Sequence, residues 1–331
     1  MKTSSLLKPY LLLAGMALAG SGCRNDEAAP PLRNLDGAPA GAVNGARVLG
    51  VNGPSLSFEL DLYVVDAKGN PVPGLKAKDF AVKDQPALSF ITEDASPARM
   101  AATGDYSAML LLDQSGSILS NDPRDLRIEA GKIFLNSLGS GDQAALSSFT
   151  SYYDSDVVIH APFARDTKRH LAALDTLEKT EGGGTPLYMS AYQMIDYTAR
   201  QAPGANKAVI VFTDGEDTRG GYTLEQVTAY AVSRQVRLYT VGLSNGVDEG
   251  VLADMAGQTN GAFMWADDAK QLITMFGTLG DLLEGTAALY KVRCAARTSS
   301  TWSSGDAFTA YLQVTLPAGG NLRVPFKITV Q

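Results

Sequence analysis

Three short apolar runs, 109–112, 209–212 and 236–241, are separated by stretches of helical spacing, and this alternation limits the fold more than any other feature of the chain. A strand buried on both faces reads as a continuous apolar run, and helices between such strands build parallel βαβ units. Residues 105–285 are therefore expected to form an α/β domain around a mostly parallel central sheet. Its first helix is marked by Asp122 as N-cap, Pro123 at the first helical position and Asp125 facing the dipole. Leu126, Ala130, Ile133, Phe134 and Leu138 then lie on one side. A second helix is expected from Thr185 and Pro186 to about Gln201, with Leu187, Ala191, Met194 and Ile195 on its apolar face.

The two ends have another texture. Leu56, Phe58, Leu60 and Leu62 alternate with Ser57, Glu59 and Asp61, the period of a strand with one buried and one wet face. Phe80 to Val82 offers a short strand after the Asp66, Gly69 and Pro71 turn region. Tyr290, Val292 and Cys294 predict another, and Leu312 to Leu316 with Leu322 to Val330 predict a closing hairpin around Pro317 and Gly319. Neither block, 46–100 or 286–331, has much core of its own. The two are expected to assemble one small β-sandwich with 105–285 inserted into it.

Lys2 and Lys8 precede an uncharged stretch with an apolar core at 11–18, which ends in small residues before Cys23. This is the pattern of a signal peptide, too short to span a bilayer. Leu18, Ala19, Gly20, Ser21, Gly22 and Cys23 resemble the end of a bacterial lipoprotein signal peptide, although Gly20 stands where that family prefers Leu. The resemblance implies cleavage after residue 22, a lipid on Cys23 and a place in the cell envelope. Plain secretion with cleavage nearby is the alternative. Arg24 is not the Asp that retains enteric lipoproteins at the inner membrane, so the outer membrane is favoured in a diderm host. Residues 23–45, rich in Ala, Pro, Gly and Asn, are expected to be a flexible tether. Cys294 is then left without a disulfide partner and is expected as a small core residue. The net charge of -7 argues against a nucleic-acid partner.

The chemistry falls where strands end. Asp113, Ser115 and Ser117 follow the first apolar run and Asp214 follows the second, at the carboxyl edge where open α/β sheets bind ligands. Between them, Gly182, Gly183 and Gly184 allow close backbone approach, and Thr185 presents a hydroxyl at the start of its helix. Two carboxylates and three hydroxyls are hard oxygen donors. They suit Mg²⁺, Ca²⁺ or Mn²⁺ and do not suit zinc or copper, which would want His or thiolate; Mg²⁺ is the cation expected here.

Asp-x-Ser-x-Ser at 113–117, Gly-Gly-Gly-Thr at 182–185 and Thr-Asp-Gly at 213–215 together resemble the metal-ion-dependent adhesion site (MIDAS) of von Willebrand factor A (VWA) domains. The resemblance extends to 142–149 as second strand and to 257–261 before the last strand and helix. It implies a Rossmann-like domain and a metal held by Ser115, Ser117 and Thr185 directly or through water, and by Asp113 and Asp214 mostly through water. It further implies a partner protein whose Asp or Glu carboxylate completes the shell. Residues 63–69 and 74–80 also resemble the β jacket around bacterial VWA-related proteins.

Tyr152 and Tyr153 follow the second strand and are expected on the same face as the metal, as partner contacts or as ordinary turn aromatics. His160 and His170, the only histidines, fit surface or packing roles, and no Ser-His-Asp constellation is legible. The expected function is a lipid-anchored, non-enzymatic module that binds a protein through a divalent metal. The alternatives are a metal-dependent hydrolase using Asp113 and an envelope protein whose metal only stabilises the fold.

Overall fold

The computed structural model describes residues 33–330. In chain order the first elements are β1 (Ala40–Asn52), β2 (Ser55–Val65), β3 (Phe80–Lys83), β4 (Ser89–Arg99) and β5 (Ser107–Asp113). There follow α1 (Ile118–Asn121), α2 (Leu126–Asn136), β6 (Gln143–Phe149), β7 (Val157–Ala164), α3 (Lys168–Asp175), α4 (Leu187–Gln201) and β8 (Lys207–Thr213). The last are α5 (Leu224–Ser233), β9 (Val236–Leu243), α6 (Glu249–Gln258), β10 (Phe263–Ala266), α7 (Ala269–Glu284), β11 (Ala288–Arg297), β12 (Ala307–Thr315) and β13 (Asn321–Thr329).

One sheet runs β4-β11-β2-β1-β10-β9-β8-β5-β6-β7 and a second runs β13-β12-β3. The stretch from β10 to β6 is parallel throughout. All seven residues of β5 are buried, as a strand covered by helices on both sides requires. Leu110, Leu112, Ile210 and Phe212 face a core closed by α2 and α7, while Met109, Leu111, Val209 and Val211 face one closed by α4 and α6.

The terminal strands pair as expected, and their sandwich core joins Leu56, Phe58 and Leu60 of β2 to Leu312 of β12 and Val324 and Phe326 of β13. Phe58 meets Phe308 and Phe326 with ring centroids 5.9 and 5.8 Å apart. One layer of this sandwich is continuous with the central sheet, because β1 pairs antiparallel with β10 through Ala42 and Val43. Sequence periodicity cannot reveal that join, since it lies between strands far apart in the chain.

Several expectations need correction. The tether does not extend to residue 45: β1 begins at Ala40, and before it the Leu35 and Gly37 amides donate to Lys68 O and Ala67 O at 3.1 and 3.2 Å. Arg33 grips Asp281 through two hydrogen bonds of 2.6 and 2.7 Å. The small residues that read as linker are there for close packing. A side-chain carbon on Gly41 would lie 2.8 Å from Val324 Cγ2 and 3.1 Å from Tyr63 O. Gly41→Val is accordingly expected to lower stability by about 1–3 kcal/mol in chemical unfolding; an unchanged midpoint would mean that the layers separate freely there.

The wet face of β2 is not wet at Glu59, which is 3% exposed beneath Arg47, Lys291 and Arg293. The Arg293 hydrogen bond leads in holding its carboxyl below the ordinary range. The helix expected from Pro123 is α2 and starts at Leu126, after the short α1, with Asp125 in a left-handed conformation. Asp122 still caps it, accepting from the Leu126 and Arg127 amides at 2.8 and 2.9 Å. β1 and β4 were not anticipated; β4 is an exposed edge strand without clean alternation. The signal-peptide and Cys23 readings lie outside the described residues.

Candidate metal-binding site

Parallel neighbours deliver their following loops to one edge of the sheet, and here backbone hydrogen bonds stitch those loops together. Gly116 N–H donates to Gly183 O at 3.0 Å and Gly182 N–H to Gln114 O at 2.9 Å. Ser151 N–H donates to Gly184 O at 3.0 Å, and Thr218 N–H to Thr185 O at 2.9 Å. Gly183 has φ +74°, and a side-chain carbon there would lie 2.7 Å from Tyr152 N, so only glycine fits this crossing.

The structure brings the five predicted residues together. Asp113 is fully buried at the end of β5; its Oδ1 accepts from Ser115 N–H at 2.8 Å and its Oδ2 from Thr213 Oγ1 at 2.6 Å. Ser115 Oγ lies 3.1 Å from Ser117 Oγ, which donates to Asp214 Oδ1 at 2.7 Å. Asn121 Nδ2 holds the other Asp214 oxygen at 2.9 Å. A side-chain carbon built on Gly215 would lie 3.7 Å from Thr185 Oγ1 and 3.9 Å from Ser117 Oγ, so both hydroxyls border the space left open by that glycine. Ser117 is exposed while Asp113, Ser115, Thr185 and Asp214 are buried, which makes a socket open at one side.

Both carboxyls are short of compensating charge. Burial, then the nearby charge of Asp214, pushes Asp113 up to about 6 against the hydrogen bonds from Thr213 and Ser115. Burial also raises Asp214, opposed by bonds from Asn121 and Ser117. Among the described residues no cluster of three or more His, Cys, Asp or Glu forms a metal site. The five side chains offer oxygen donors alone, two carboxylates and three hydroxyls, a set able to hold a divalent cation.

Tyr152 and Tyr153 separate. Tyr152 is 77% exposed beside Gly182, whereas Tyr153 turns inward with its hydroxyl 3.0 Å from Ser148 Oγ. His160 Nε2 lies 2.7 Å from the same Ser148 Oγ, and His170 Nε2 lies against the carbonyls of Ala144 and Pro162 at 2.8 and 3.0 Å. Glu216 lines, with Tyr188, Asp217 and Asp248, a small pocket that none of the five donors lines, and Asp217 accepts from Tyr188 N–H at 3.0 Å. Sequence reasoning missed Thr213, the donor to Asp113, and Asn121, the donor to Asp214. Thr213 stood within a quoted motif, but nothing in the string distinguishes a donor to Asp113 from an ordinary strand residue.

The family model of the von Willebrand factor type A domain matches residues 109–278. Similar solved structures include a von Willebrand factor type A protein from Catenulispora acidiphila at 13% identity and TM-score 0.48, covering 90% of this chain and 75% of that one. Proximal thread matrix protein 1 from the mussel byssus, with a zinc-occupied MIDAS motif, is 16% identical over 56% of this chain and 49% of its own, with TM-score 0.46. The pilus adhesin SpaC from Lactobacillus rhamnosus GG is 12% identical over 86% and 48%, with TM-score 0.47. The chain spans about half the length of these last two. No curated protein matches significantly. The family match takes in more than half of the chain and all five converging donors, and the chain belongs to the von Willebrand factor type A domain family.

Proposed function

We propose that this protein is a non-enzymatic, lipid-anchored envelope module that captures a protein partner through a divalent cation, Mg²⁺ before Mn²⁺ or Ca²⁺. The observation that carries this reading is the convergence of Ser115, Ser117 and Thr185 with Asp113 and Asp214 at a socket open on the Ser117 side. These five residues would hold the cation, which supplies affinity for an incoming carboxylate oxygen. Two carboxylates neutralise a dication only formally, and neutral hydroxyls leave it receptive to an Asp or Glu of the partner. Asp113 and Asp214 are fixed in place by Thr213, Ser115, Ser117 and Asn121, so little reorganisation precedes binding.

Capture from an envelope extract tests the reading. The protein is expected to retain a partner in Mg²⁺ and release it in chelator, and equal retention in both would overturn the metal-dependent mode. In the same host, Cys23→Ser is expected to release the protein from membranes or block its processing. Metabolic labelling that finds no acyl chain on the parent would leave only plain secretion.

A further inference from the structure

Arg127 of α2 is fully buried and hydrogen-bonds to none of the five donors, although its charge acts on Asp214. Its guanidinium reaches three separate pieces of chain. Nη2 and Nε donate to Gln114 Oε1 at 2.7 and 3.3 Å, and Nη1 donates to Asp125 Oδ1 at 2.7 Å and Asp122 Oδ2 at 3.2 Å. Nη2 also donates to Glu181 Oε1. Each partner adjoins the socket. Gln114 stands between Asp113 and Ser115, Glu181 immediately precedes the 182–185 loop, and Asp122 N–H closes on Ile118 O at 2.8 Å just after Ser117.

Gln114 extends the tie, with Nε2 donating to Leu177 O and Thr180 Oγ1 at 2.9 and 3.0 Å, on the chain that leads into Glu181. The other carboxylate oxygen of Glu181 is buried without a partner among the described residues, so Arg127 alone secures that side chain. Packing does not require such a group. Buried ion pairs are commonly replaceable by apolar residues without loss of stability, whereas a planar fork fixes its partners in direction as well as distance. We propose that Arg127 is a positioning residue of the metal socket: its guanidinium holds the 113–117 loop against the 182–185 loop in the register that brings Ser115, Ser117 and Thr185 to one point. The inference rests on reading that point as the metal site.

Arg127→Lys keeps the charge and removes the fork. It is expected to weaken Mg²⁺ binding at least tenfold in calorimetry, at a temperature where circular dichroism shows the variant folded. Parental affinity in the folded variant would overturn the proposal. Should Arg127→Lys not fold, Glu181→Gln keeps the volume and weakens the tie; it is expected to cost threefold or more, and parental affinity there would likewise overturn it. A metal-free readout keeps this inference separate from the functional reading. Hydrogen exchange at the Gly116 and Gly182 amides, which bridge the two loops, is expected to accelerate about tenfold in the variant while β5 amides such as Leu110 stay protected. If the parent binds no Mg²⁺, the metal reading falls and this exchange pattern decides whether Arg127 orders the loops. Unchanged exchange, or the same acceleration throughout β5, would reduce Arg127 to a general stabiliser.

Discussion

Asp113→Ala is expected to abolish Mg²⁺ binding in calorimetry, where the parent protein is expected to titrate as one site. The carboxylate is fully buried and already held by Ser115 N–H and Thr213 Oγ1, so no mobile neighbour can replace it. The same group contributes to the pH dependence, and the raised Asp214 acts in the same direction. The pKa of Asp113 is about 6 in the folded metal-free protein against an ordinary 3.8, so folding takes up a proton between those values. The contribution of Asp113 to metal-free stability is therefore greatest below about pH 4 and is lost as pH rises through about 6. Asp113→Asn should remove this part of the slope. Metal binding runs the other way, because the cation competes with that proton, and lowering pH from 7 to 5 should weaken Mg²⁺ about tenfold. An Asp113→Ala protein that titrates like the parent would remove Asp113 from the site.

What the sequence disclosed about this molecule follows from the range of the interactions concerned. Buried parallel strands must be apolar along their whole length, so β5, β8 and β9 were legible at 109–112, 209–212 and 236–241. The five donors were legible because chemistry at a strand end needs particular residue types at short spacing. Their convergence could be expected only through the VWA resemblance, since Thr185 and Ser117 approach Gly215 from distant parts of the chain. β1 was illegible for the opposite reason. Its small residues meet the demands of Val324 and Leu322, nearly three hundred positions away, and locally resemble a linker. Arg127 was hidden by the same logic: a charged residue in a helix reads as solvated, and only the fold supplies Gln114, Asp122, Asp125 and Glu181 around it.

The second large effect concerns partner capture, and two substitutions divide it into separate contributions. Thr185→Ala removes one hydroxyl but leaves the backbone links of Thr185 to Thr218, at 2.8 and 2.9 Å, in place. It is expected to abolish Mg²⁺-dependent capture while the thermal transition of the metal-free protein barely moves. Tyr152→Ala acts on the rim. Its ring is 77% exposed beside Gly182, and covering it with a partner should be worth about 1–2 kcal/mol, roughly tenfold in affinity or somewhat more. Metal affinity should be untouched, because no Tyr152 side-chain atom binds any of the five donors. Tyr153→Phe serves as control, since its hydroxyl faces Ser148 rather than solvent. A Thr185→Ala protein that still captures partner in a Mg²⁺-dependent way would displace the socket from recognition. So would partner contacts mapping to the β2 face of Glu59 and Asp61, and the reading of a metal that only stabilises the fold would then take precedence.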